Sequence, residues 1–132
     1  MKLYSKSPRI TKLFAKELAK EILGTTSKHA LVIALRGELG AGKTTFIQGF
    51  MKGLGVRKRI QSPTFVVYKK FSLKNKKSQF HFAIHCDAYR LKNYTDLLTL
   101  GFQHELKNSK NIILIEWPEK VNKIIPKNAM SI

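Results

Sequence analysis

The stretch "ALVIALRGELGAGKTTFIQGF", residues 30 to 50, decides the fold class of this chain. Its first six residues are apolar and partly β-branched, which predicts a strand buried on both faces. Three glycines follow within six residues, a density that regular structure disfavours. Apolar side chains then recur at helical spacing from Lys43 to about Leu54, where Gly55 ends the predicted helix. A strand, a glycine-rich turn and a helix in this order predict an α/β domain.

The glycine-rich turn carries a phosphate-binding motif. "GELGAGKT", residues 37 to 44, matches G-x-x-x-x-G-K-[ST] at every fixed position. Glycines let backbone N–H groups turn toward phosphate oxygens, and the helix N-terminus adds the positive end of its dipole. Lys43 is predicted to reach the β- and γ-phosphates, and the Thr44 hydroxyl to bind Mg²⁺. The predicted nucleotide contacts in this stretch are Gly37, Leu39, Gly40, Ala41, Gly42, Lys43, Thr44 and Thr45.

The other segments complete a single domain over residues 1–132, a length that suits one hydrophobic core. We predict a P-loop NTPase-type domain, with a mixed central sheet, flanking helices and an antiparallel hairpin. The predicted elements are a helix over 8–23, hairpin strands over 64–71 and 79–86, a partly helical segment over 92–107 and a strand over 111–117.

Two carboxylates are placed to complete a magnesium site. Asp87 and Glu116 fall at the C-terminal ends of apolar strand-like segments, and parallel strands deliver such ends to the crevice that holds the phosphates. Asp87 is predicted to hold Mg²⁺, directly or through water. Glu116 is predicted to be a second metal-side carboxylate or the residue that positions the attacking water. His85 and Cys86 point to opposite faces of their strand, so we interpret them as packing residues.

Charge is the unusual feature of the composition. The 25 basic and 8 acidic residues give a net charge of +17, which favours an anionic partner such as a nucleotide, RNA or an acidic protein surface. The alternative is that the lysines only solvate the surface. The single cysteine excludes an internal disulfide and a cysteine-rich zinc site. No apolar run is long enough for a membrane span or a secretory signal, so we expect no membrane association and a cytoplasmic location.

Four motifs in fixed order resemble those of the TsaE (YjeE) family. They are "GELGAGKTTFIQGFMKGLG" from residue 37, "SPTF" over 62–65, "HCDAYR" over 85–90 and "IEWPE" over 115–119. That family comprises small bacterial P-loop ATPases required for threonylcarbamoyladenosine modification of tRNA. The resemblance implies an ATP-hydrolysing subunit with Mg²⁺ as cofactor, which resets TsaB- and TsaD-type partner proteins and does not transfer the carbamoyl group itself.

The resemblance also implies roles for individual residues. The segment 62–65 corresponds to a switch near the nucleotide, which makes Thr64 a candidate contact to the γ-phosphate or Mg²⁺. Asp87 corresponds to the aspartate of the family's HxDxYR pattern. Glu116 corresponds to the acid of its EW pair, which lies at the metal and is needed for hydrolysis. Thr11 matches an N-terminal family threonine, so it is expected near the adenine.

Three positions leave part of this interpretation open. Gln61 stands where many members have threonine, which weakens any role for a hydroxyl there. The sequence ends at "PKNAMSI", residues 126–132, where relatives continue through a strand pair that carries a basic residue near the nucleotide. Either the chain is a naturally short member of the family, or one wall of the adenine pocket is built differently. Trp117 belongs either beside the site or in the core.

Two alternatives to the ATPase subunit stay open. A small-molecule or nucleoside kinase would need an acceptor pocket and an arginine-rich lid, whereas the five arginines here are scattered. A non-catalytic, nucleotide-gated RNA-binding module would bind RNA with strong salt dependence, and direct tRNA contact through the basic surface fits either function. A regulatory GTPase is disfavoured because the chain lacks the Asn-Lys-x-Asp guanine motif.

Overall fold

The protein is described by a computed structural model over residues 7–36, 41–57 and 68–132. These residues form a five-stranded mixed sheet with helices on both faces, which confirms the predicted α/β class. The elements are α1 (Pro8–Leu23), β1 (Leu31–Leu35), α2 (Ala41–Gly53), β2 (Tyr68–Ser72), β3 (Phe82–Asp87), α3 (Thr95–Thr99), α4 (Phe102–Lys107), β4 (Asn111–Glu116), a 3₁₀ helix (Pro118–Ile124) and β5 (Met130–Ser131).

The sheet order is β2-β3-β4-β1-β5. Strands β3, β4, β1 and β5 are parallel, and β2 is antiparallel to β3, which confirms the predicted hairpin. Glu116 at the end of β4 lies between Leu35 of β1 and Asp87 of β3 in the strand register. The two carboxylates therefore lie on neighbouring strands, at the C-terminal end of the parallel strands, where the chain leaves β1 for α2.

Two hydrophobic layers sandwich the sheet. One layer packs α1 and α2 against one face through residues such as Phe46, Phe50 and Leu114. The other packs α3, α4 and the 3₁₀ helix against the opposite face and includes the fully buried Phe102. Because both faces are covered, every residue of β4 is buried, which explains why the sequence of this strand is a nearly continuous apolar run.

Helices α1 and α2 approach each other through small residues. A Cβ atom added at Gly49 would lie 2.4 Å from the carbonyl oxygen of Lys12, and one at Gly53 would lie 2.4 Å from that of Lys16. Only glycine permits this backbone approach. The two contacts advance together along both helices, so α1 and α2 run in the same direction and their N-termini lie at the same end of the pair.

Two elements were not predicted from the sequence. Strand β5 has two residues, and it is held at the sheet edge by the bonds from Arg36 N–H to Ile132 O (2.9 Å) and from Ile132 N–H to Ala34 O (3.0 Å). The 3₁₀ helix begins at Pro118, directly after β4. Within the described ranges, no helix combines the length and apolar character required to span a bilayer.

Candidate functional site

The N-terminus of α2 lies where the phosphate-binding motif predicts it. The helix begins at Ala41, and the first N–H groups of a helix have no partner within it. The first turn contains no acidic side chain that would compete with an anionic ligand at the positive end of the dipole. Of the predicted contacts, Gly42 and Thr44 are exposed, Lys43 is half-buried and Thr45 is buried, whereas Gly37, Leu39 and Gly40 lie outside the described residues.

Lys43 carries a buried charge without a conventional partner. Its Nζ atom is inaccessible to solvent and has no hydrogen bond within the described part of the chain. The same atom lies 3.8 Å from the centroid of the Trp117 ring, and the face of an indole attracts a cation. That attraction offsets only part of the hydration that a buried ammonium loses. Lys43 is therefore a cation whose hydrogen-bonding capacity is available to an anionic ligand.

Trp117 reaches Lys43 because its backbone adopts a left-handed conformation directly after β4. Its φ and ψ are 58° and 54°, in the left-handed region, which a bulky residue rarely adopts and which costs about 1–3 kcal/mol. The Tyr89 ring packs against the indole with centroids 5.1 Å apart. The indole lies beneath Lys43 and also packs, half-buried, against the hydrophobic core that contains Val121, so Trp117 combines the two locations left open for it.

Asp87 ends β3 and is half-buried. Burial raises the pKa of its carboxyl, and the nearby charge of Glu116 acts in the same direction. A hydrogen bond of 3.0 Å from the Tyr89 N–H to Oδ1 opposes the rise in pKa, as do the charges of His85 and Lys43. An acidic group in this setting gains from a bound cation, which would favour the ionised form.

Glu116 ends β4 and is buried, which is costly for a carboxylate without a partner. Its partner is His85, whose Nε2 lies 2.7 Å from Glu116 Oε2. The interpretation of His85 as a packing residue was therefore incomplete, because it is buried but also hydrogen-bonds the predicted site. Cys86 points to the opposite face, where burial raises the pKa of its thiol to about 12, in line with a packing role.

The remaining predicted site residues are less informative. Thr11 is buried in α1, and its Oγ1 donates a hydrogen bond of 3.3 Å to the carbonyl oxygen of Ser7, so a contact to adenine stays a prediction. Thr64 and the rest of the predicted switch 62–65 lie outside the described residues.

The described residues contain no preassembled metal cage. Among residues 7–36, 41–57 and 68–132, no three His, Cys, Asp or Glu side chains group as metal ligands. Mg²⁺ commonly takes one or two carboxylates and completes its shell with phosphate oxygens and water. Thr44, Asp87 and Glu116 stay the predicted ligands of a metal that would enter with a nucleotide.

Comparisons with known proteins identify the family of this chain. The family model described as "Threonylcarbamoyl adenosine biosynthesis protein TsaE" matches residues 5–132. The tRNA threonylcarbamoyladenosine biosynthesis protein TsaE of Haemophilus influenzae is 34% identical over 113 residues, which are 86% of this chain and 68% of the relative. The protein of the same name from Rickettsia bellii is 37% identical over 118 residues, 88% of this chain and 73% of the relative.

A solved structure is similar over nearly the whole chain. The crystal structure of Bacillus subtilis YdiB aligns with a TM-score of 0.64 and 29% identity, covering 96% of this chain and 70% of that one. The fold, the motif order and the family match agree. The chain therefore belongs to the TsaE family, whose role lies in the biosynthesis of threonylcarbamoyladenosine in tRNA.

Proposed function

We propose that this chain binds ATP with Mg²⁺ and hydrolyses it, and that hydrolysis resets TsaB- and TsaD-type partners of the tRNA-modifying machinery. The observation that carries the proposal is the Lys43 ammonium, which is buried without a hydrogen bond to any described residue, at the N-terminus of α2. Glu116 ends β4, which lies beside the strand β1 that leads into this helix, and Asp87 ends β3, the next strand along the sheet. A cation and a helix N-terminus facing two carboxylates suit a metal-bound phosphate chain.

Each residue of the site would have its own role in phosphoryl transfer. The N–H groups of α2 and the Lys43 ammonium would hold the phosphate oxygens. Thr44 and Asp87 would hold Mg²⁺, which when bound neutralises charge on the β- and γ-phosphates. Glu116 would act on the metal side or orient the attacking water. Trp117 covers Lys43 and keeps bulk water from its charge, which strengthens the attraction to phosphate.

We predict that the isolated protein hydrolyses ATP slowly and that its partners accelerate hydrolysis at least about tenfold, because a P-loop turns over slowly until a positive group meets the γ-phosphate. Among the arginines of this chain that are candidates for such a positive group, Arg36 is paired with Glu119 (3.8 Å), and Arg90 is exposed three residues beyond Asp87. Phosphate release is measured for the protein alone and with TsaB- and TsaD-type proteins from the same source. The control is the same mixture with Lys43→Ala. Equal rates with and without partners would contradict the resetting role and favour a self-sufficient ATPase or kinase.

A basic groove between α1 and α2 favours a second function, direct contact with tRNA. The groove has a volume of about 930 Å³. Among the described residues that line it, half are cationic, none is acidic and none belongs to the predicted site. The lining residues are Arg9, Lys12, Leu13, Lys16, Gln48, Gly49, Lys52, Gly55, Val56 and Arg57. We propose that this groove follows a phosphate backbone, because clustered cations without acidic neighbours are the usual footprint of nucleic-acid binding.

The salt dependence of RNA binding tests this groove. The double variant Lys12→Glu/Lys16→Glu removes two groove cations, so the slope of log affinity against log salt should become shallower by about 1.4 for a single strand. The probe is a fluorescent 20-nucleotide oligouridine, titrated at several salt concentrations. The control variant Lys74→Glu/Lys76→Glu changes the net charge equally, at exposed positions outside the groove. Equal changes in both double variants would show a general charge effect and contradict a groove site.

A further inference from the structure

The His85–Glu116 pair connects the sheet interior to the candidate site. In the register of β3 and β4, Asp87 lies opposite Glu116, and His85 lies opposite Leu114. The same face of the sheet therefore carries His85, Asp87 and Glu116. His85 lies two residues before Asp87, further from the C-terminal end of the strand. The exposed fractions of the His85 and Glu116 side chains are only 3% and 7%. The hydrogen bond between them is thus shielded from competing water.

The direction of this hydrogen bond follows from chemistry. The proposed function requires Glu116 as a carboxylate, which can only accept hydrogen bonds, and in that state Nε2 of His85 carries the proton that faces Oε2. A free glutamate side chain has several rotamers, and burying it in a single one costs conformational entropy. Glu116 also faces the negative charge of Asp87, which would push it away. The bond from His85 holds Glu116 in place against both effects.

We propose that His85 is a positioning residue for Glu116. The imidazole holds Oε2, so that Oε1 is the oxygen presented to the metal or to the attacking water. This role rests on the proposed ATPase function and deepens it. His85 itself touches neither the nucleotide nor the water. The alternative is a purely structural pair, which would support the sheet without affecting the reaction.

Two substitutions at His85 distinguish positioning from structural support. In the full chain with its partners, His85→Leu removes the donor and should lower kcat for phosphate release about 10- to 100-fold, as loss of a group that orients a ligand usually does. ATP affinity should change less than about twofold, because phosphate binding lies with α2 and Lys43. His85→Gln places an amide N–H near the position of Nε2 and should restore most of kcat. His81→Leu and His81→Gln, at an exposed position just before β3, are matched controls.

A double-mutant cycle gives a readout that a structural role would not produce. If His85 acts only through Glu116, then His85→Leu should cost nothing further in kcat once Glu116→Gln is present. Additive losses in the double variant would overturn the proposal. So would a folded His85→Leu protein with wild-type kcat, or a His85→Gln protein as impaired as His85→Leu.

A measurement without turnover separates this proposal from the proposed function. The ¹⁵N signal of the His85 Nε2–H should shift when ATP and Mg²⁺ bind, and the shift should be lost in Glu116→Gln. If the wild-type protein binds ATP without hydrolysing it and the signal still shifts, the resetting role fails while the His85 contact to the site stands. A signal that does not move on ATP binding overturns the role of His85. A protein that binds no ATP contradicts both proposals.

Discussion

The Lys43→Ala variant is expected to bind ATP about 100-fold more weakly than the wild-type protein. The alanine removes charge-assisted hydrogen bonds to phosphate that contribute about 1.5 kcal/mol or more each, and two such bonds correspond to about 100-fold in affinity. Trp117, the group beneath Nζ, is uncharged and supplies no replacement for the lost cation. Isothermal titration calorimetry with ATP and Mg²⁺ measures the dissociation constant directly.

The control for Lys43→Ala is Lys52→Ala. Lys52 is exposed in the last turn of the same helix, so its removal changes the net charge equally and leaves the N-terminus of α2 intact. We expect its ATP affinity to stay within about twofold of wild type, because exposed charges a few turns away are screened by salt. A folded Lys43→Ala protein with wild-type affinity would rule out phosphate binding by this loop.

The Glu116→Gln variant is expected to lose about 10² to 10³ in partner-stimulated hydrolysis while its ATP affinity changes only a few fold. The amide keeps the volume of the side chain and can still accept the bond from His85, so the fold should survive. It lacks the charge that acts on the metal or the water, and removing one such preorganised group typically costs this much in rate. Asp87→Asn should follow the same pattern, because the phosphate contacts of α2 and Lys43 remain.

Phosphate release in the complete assembly and ATP binding by calorimetry measure the two effects separately. Glu21→Gln is the control, since Glu21 is an exposed acid in α1, and this variant should hydrolyse ATP at the wild-type rate. If both Glu116→Gln and Asp87→Asn hydrolyse ATP at the wild-type rate, the two carboxylates have no role in hydrolysis. A loss of ATP affinity as large as the loss of rate would instead assign them to nucleotide binding.

The elements that the sequence predicted correctly are those with local signals. Apolar periodicity located α1, and the phosphate-binding motif located the start of α2 within two residues. The positions of Asp87 and Glu116 followed from the rule that the C-terminal ends of parallel strands lie at the same end of the sheet. Their chemical roles, and those of Gly37, Leu39, Gly40 and Thr64 outside the described residues, stay predictions.

The missed features depend on contacts between distant parts of the chain. Strand β5 is too short to show a period, and it exists because β1 offers an open edge. Spacing placed His85 on the same face as Asp87, but only the pairing of β3 with β4 brings it to Glu116. The left-handed backbone of Trp117 has no local signature, because such conformations are normally taken by glycine or asparagine. These features therefore required the tertiary structure.

The strand order also determines when in folding the site can exist. Strand β1, which leads into the phosphate-binding loop, pairs with β4 and β5 from the far end of the chain, whereas the β2–β3 pair closes locally. Pairing between distant segments is the slow part of folding. A ribosome would therefore release the loop and α2 well before the strand that ends in Glu116. ATP bound as we propose would stabilise only the completed sheet, so it would select for finished molecules and would not guide the chain toward them.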